Sequence, residues 1–66
     1  MSIAEKCYVL MPEVEYKKMR SGSDDYDTLG SAYAPSIVGA KQIFQRGKHT
    51  GRCMIVCGKK AWKISL

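Results

Sequence analysis

The run Arg52-Cys-Met-Ile-Val-Cys57, the dipeptide Gly58-Lys59 and the run Lys60-Ala-Trp-Lys-Ile-Ser-Leu66 constrain this chain more than any other stretch. Ile55 and Val56 are β-branched and lie between Gly51 and Gly58, so residues 52–57 predict a strand. Gly58-Lys59 fits a two-residue II′ turn, in which glycine takes the first central position. That turn pairs Cys57 with Lys60, Ile55 with Trp62 and Cys53 with Ile64. One face of the hairpin then carries Cys53, Ile55, Cys57, Trp62, Ile64 and Leu66, nearly all apolar. The other carries Arg52, Met54, Val56, Ala61, Lys63 and Ser65, half apolar and half polar or basic. A three-residue turn would put Lys63 opposite Ile55 in the core and is rejected on that ground.

The strand reading also decides the chemistry of His49, Cys53 and Cys57. Spaced by four, these residues would share a helix face and suggest zinc. On a strand, four residues span about 13 Å, whereas ligands of one zinc ion lie within about 4 Å of one another. The same distance forbids a Cys53–Cys57 disulfide, which needs Cα atoms within about 7 Å. A cross-strand bond from Cys7 to one of them stays open. Otherwise the cysteines read as small buried apolar residues. Three cysteines, an odd number, speak against a secreted disulfide scaffold and for a reducing, cytoplasmic setting. No metal and no cofactor is expected.

With 66 residues the chain makes one domain, which buries only about 60% of the surface its unfolded form exposes. The segment 35–46 predicts an amphipathic helix. Ile37, Ala40 and Phe44 recur on one side with Ile43 beside them, and Lys41, Gln42, Gln45 and Arg46 take the other. Gly39 and Ala40 are small enough to let this helix approach a sheet. Gly47 stands where a left-handed cap would end it. Trp62 on the apolar hairpin face is read as the main anchor against this helix. Residues 6–11 predict a buried strand, closed by Pro12. Residues 12–20 predict a short helix with acids Glu13 and Glu15 first, Lys17, Lys18 and Arg20 last, and Gly22 as cap. Its apolar stripe is Val14, Tyr16 and Met19.

Residues 21–34 read as a flexible loop, rich in Gly, Ser and Asp. The alternative is a short strand hidden near residues 26–33, since so long an irregular loop is unusual in a small domain. Asp24, Asp25 and Asp27 lack the spaced ligands and terminal glutamate of a calcium loop, and read as a solvated turn. The expected fold is therefore α+β: a three-stranded, mainly antiparallel sheet (residues 6–11, 52–57 and 60–66) with a C-terminal β-hairpin and one or two short helices packed on it.

Charge carries the functional expectation. Residues 1–34 hold four basic and six acidic side chains, a net −2, whereas residues 35–66 hold seven basic and no acidic ones, a net +7. Segregated positive charge concentrates and steers polyanions. The candidate phosphate contacts are Arg46, Lys48, His49 and Arg52 around the helix–hairpin connection, and Lys59, Lys60 and Lys63 at the hairpin. Tyr8, Tyr26 and Tyr33 are candidates for base stacking. The expectation is a small basic protein, nucleic-acid-binding or regulatory, touching DNA or RNA through phosphate with weak sequence specificity. The alternative is a protein-binding module, such as a phage- or virus-encoded inhibitor of a host protein or an assembly subunit, whose half-apolar hairpin face or sheet edge meets an acidic protein surface. Homo-oligomerisation is compatible with either. A single histidine, no glycine-rich phosphate loop and no nucleophile–base pair give no basis for an enzyme. No apolar run approaches the roughly 18 residues of a membrane helix, and residues 1–5 are no signal peptide.

Overall fold

A computed structural model describes residues 5–66 of the protein. The elements follow the order β1 (Lys6–Pro12), α1 (Glu13–Arg20), β2 (Gly30–Ala34), α2 (Ile37–Gln45), β3 (Arg52–Cys57) and β4 (Lys60–Ser65). The four strands form one sheet in the order β2-β1-β3-β4, with every neighbouring pair antiparallel.

The hairpin has the register the turn dictates. Cys57 pairs with Lys60, Ile55 with Trp62 and Cys53 with Ile64. Gly58 has φ 59, and Lys59, like every other non-glycine residue described, avoids positive φ, which is the II′ arrangement. The inward face forms the core expected of it. Cys53 and Ile55 are buried, and Cys57, Trp62, Ile64 and Leu66 pack partly buried against the cluster. Leu10 and Ile55, cross-strand partners on β1 and β3, are both 0% exposed. Each such side chain contributes about 1.5–3 kcal/mol by leaving water. Trp62 is not the main anchor. It is half-buried and leans on Tyr8, ring centroids 5.9 Å apart at 50°. Leu10, Ile55 and Phe44 occupy the centre instead. Tyr8, buried there, is no candidate for base stacking.

The sheet has four strands rather than three. Part of the stretch expected to be a flexible loop is β2, paired along its length with β1. Glycine and alanine have little strand preference of their own, so nothing local announces this strand. Packing supplies the reason. Ala32 and Ala34 are buried beneath α2, and a Cβ added at Gly39 of α2 would lie 3.3 Å from the Ala34 Cβ. Helix and strand approach so closely because both are small there. Residues 24–29 remain without regular structure.

α1 ends in a Schellman motif. The Gly22 N–H donates to the Met19 carbonyl and the Ser23 N–H to the Lys18 carbonyl, each at 3.1 Å, with Gly22 at φ 92. Its inward side differs from the expected stripe. Val14 is exposed, and Glu15 is buried instead, its carboxylate 3.2 Å from the Lys18 ammonium. α1 contacts β1 and β3 on the face away from α2, where it buries Met11 and Met54. The half-apolar hairpin face is therefore partly occupied by the protein's own helix.

Gly47 is not a left-handed cap; the positive-φ glycines are Gly22, Gly51 and Gly58. Arg46 closes α2 in a right-handed conformation. Gly47 matters for another reason. A Cβ on it would meet the His49 ring at 3.0 Å, so the bare backbone is the bed on which the half-buried imidazole lies.

Candidate nucleic-acid interface

The strand order turns the charge segregation of the sequence into a spatial one. β1 and β2, from the acidic half, take one side of the sheet, and β3 and β4, from the basic half, take the other. β4 is the outer strand of the basic side. Lys60 and Lys63 lie on it, and Lys59 sits in the turn leading into it. Arg46, Lys48 and His49 lie in the connection 46–51. Gly51 and Leu66 exchange two backbone hydrogen bonds of 2.9 Å, which seats that connection at the far end of β4. Arg52 opens β3 opposite Ser65, and Lys63 stands opposite Met54 on the same face. As diagonal neighbours, Arg52 and Lys63 have backbones about 7–8 Å apart.

The predicted residues thus form a stripe rather than a cluster. Lys59 and Lys60 mark one end, Lys63 the middle, and Arg46, Lys48 and Arg52 the other end. Six strand residues set its length at about 20 Å. Two residues that charge counting alone did not single out join it. Lys41 and Gln45 of α2 border, together with Lys63, Ile64, Ser65 and Leu66 of the outer strand, a groove of about 250 Å³. The helical pattern had put Lys41 and Gln45 on the polar side of their helix; nothing in it said which strand lies beside that side.

Among the described residues, none of these cations is neutralised by an ion pair. The one ion pair among the described residues joins Glu15 and Lys18 within α1, so the seven basic side chains of residues 35–66 have no acidic partner there; six are exposed and Lys41 is half-buried. Tyr33 is 65% exposed and Tyr26 36%, both on the acidic side of the molecule, away from the stripe.

The thiols divide between the two faces. Cys7 stands opposite Tyr33 on the face away from α2, whereas Cys53 and Cys57 point toward α2. The cross-strand disulfide left open by the sequence is closed off by this parity, and all three cysteines are free. Burial pushes the Cys53 thiol pKa up, which is the opposite of what an activated nucleophile needs. His49, Cys53 and Cys57 are spread over a loop and one strand, as the zinc argument assumed. On the face away from α2 lies a larger groove of about 410 Å³. Cys7, Val9, Met11, Met19, Tyr26 and Val56 are among its walls, and no cation borders it. Among the described residues, no helix is long and apolar enough to cross a membrane.

No protein-family model, no curated protein and no solved structure matches the chain.

Proposed function

We propose that this protein is a small nucleic-acid-binding protein that grips the phosphate backbone along the β4 side of its sheet. The observation that carries the reading is the stripe of unpaired cations, Lys59, Lys60, Lys63, Lys41, Arg46, Lys48 and Arg52, with no acid in its half of the chain. His49, held against Gly47 beside Lys48, adds a hydrogen-bonding group at the end of the stripe. Contacts of this kind position a nucleic acid without reading its bases, so specificity is weak. A binding role is in keeping with Cys53, whose burial pushes its pKa up and away from that of an activated nucleophile. Three free thiols that cannot pair with one another suit a reducing, cytoplasmic setting.

A protein partner is the second reading. The uncharged 410 Å³ groove favours it, because nothing within the described residues fills that groove.

A salt titration on short fluorescent DNA and RNA separates the two. Releasing condensed counterions makes log affinity fall with log salt at about 0.9 per duplex phosphate neutralised, so four contacts give a slope of roughly −3 to −4. Replacing Lys59 and Lys60 by alanine lowers its magnitude by up to about 2 for any sequence offered. Undetectable binding to both nucleic acids at physiological salt would transfer the function to a protein partner.

A further inference from the structure

Among the described residues neither β2 nor β4 has a strand on its outer side, and the outward hydrogen-bonding groups of the two edges are in phase with each other. At the β4 edge, Gly51 and Leu66 are a hydrogen-bonded pair. Antiparallel pairing alternates, so Cys53–Ile64, Ile55–Trp62 and Cys57–Lys60 are bonded pairs too. The N–H and C=O groups of Ala61, Lys63 and Ser65 therefore point away from the sheet. At the β2 edge, the Leu10 carbonyl accepts from the Leu29 N–H at 2.8 Å, so the even-numbered residues of β1 face β2. Their partners Ala32 and Ala34 face back, which leaves the backbone groups of Ser31 and Tyr33 directed outward.

We propose that these two edges pair between copies of the chain, β4 of one copy accepting β2 of the next, so that the protein associates head to tail through a continuous sheet. Strand direction allows it. β2 runs against β1, β1 against β3 and β3 against β4. A copy shifted along the sheet thus offers β2 antiparallel to β4. Phase allows it as well. Setting Tyr33 opposite Lys63 and Ser31 opposite Ser65 joins outward groups to outward groups. It also keeps Ala32 and Ala34 on the same face as Ile64 and Trp62. In that register the exposed Tyr33 ring lies beside the Lys63 side chain, where a cation–π contact adds to the backbone bonds. There is room: four strands span about 19 Å, and each face carries one helix about 10 Å wide.

Charge selects this pairing over the symmetric ones. Asp24, Asp25 and Asp27 lead into β2 at its Gly30 end, exposed and without an ion-pair partner among the described residues. Arg46, Lys48 and Arg52 flank the Ser65 end of β4, and the two ends lie at the same end of the sheet. Head-to-tail pairing brings the aspartates to these cations, whereas a two-fold β4–β4 pair would set lysine against lysine. A heterologous contact of this kind grows without closing unless its rotation makes a ring. The inference does not depend on nucleic-acid binding, and a strand seated on β4 competes with phosphate for Lys63.

Two edge blocks test it. Proline at position 31 or 63 removes an outward N–H and leaves the internal ladder intact. In sedimentation equilibrium at 50 mM salt, the unmodified chain should grow past dimer with concentration and revert toward monomer at 500 mM. Ser31→Pro and Lys63→Pro should each be monomeric, and an equimolar mixture should form a one-to-one heterodimer and nothing larger. A monomer at millimolar concentration and low salt overturns the proposal. So does either blocked variant dimerising alone, or two folded variants failing to combine. If circular dichroism shows a proline variant unfolded, Asp25→Lys/Asp27→Lys decides instead: at least tenfold weaker association of the otherwise unmodified chain is expected, and unchanged association overturns the pairing.

Discussion

Lys41 on α2 and Lys63 on β4 border the same groove, although nearly a third of the chain separates them in sequence. Neither has an acidic partner among the described residues. Replacing both by alanine should lower the salt slope of oligonucleotide binding by up to about 1.8 and leave the melting temperature nearly unchanged. The same loss should appear for unrelated DNA sequences. An unchanged slope, measured by fluorescence anisotropy, would remove the groove from the interface.

The alternation along β2 predicts an amide-exchange pattern. The amides of Ala32 and Ala34 face β1 and should exchange as slowly as that of Ile55, while those of Ser31 and Tyr33 face outward and should exchange fast in dilute monomer. Hydrogen exchange followed by NMR resolves each amide. Uniformly fast exchange from 30 to 34 would mean that the strand is not formed in solution.

Tyr8 and Trp62 pack with their rings tilted by 50°, centroids 5.9 Å apart. Tyr8 is 3% exposed, so Tyr8→Ala should cost about 3–5 kcal/mol, and Trp62→Ala less because that ring is half in solvent. A double-mutant cycle by urea denaturation should give a coupling of about 0.5–1.5 kcal/mol. Additive losses would show that the two rings stabilise the fold independently.

Cysteine chemistry should follow burial. Exposed Cys7 should react with a disulfide reagent long before Cys53, whose thiol is buried and whose pKa is raised. The raised pKa also has a sign for stability. The folded state keeps the Cys53 proton at pH values where the unfolded chain has released it, so its contribution is complete below the ordinary thiol pKa and is lost as the pH rises above that. Cys53→Ala should flatten this alkaline decline in a pH series of thermal melts. An identical decline in the variant would assign it to other groups.

Local chemistry determined the hairpin by itself. A glycine at the first turn position sets the register, and the register sends alternate side chains of 52–66 to the core, which is why Cys53 and Ile55 were legible from the sequence as core residues and Ile64 as one packed against them. The same holds for the helical spacing of Ala40 and Phe44 and for the left-handed cap at Gly22. Other features depend on partners distant in sequence. Gly30–Ala34 carries no strand signal and becomes β2 because β1 and the close underside of α2 stabilise it. Gly47 looks like a cap in sequence and serves as a seat for His49. The chain alone showed that charge is segregated between its halves. Only the strand order β2-β1-β3-β4 decided that the halves stay on opposite sides of the sheet and that Lys41 joins Lys63. The physical reason is range: turns and caps are decided within a few residues, whereas the neighbour of a strand is decided by which burial the whole domain can achieve.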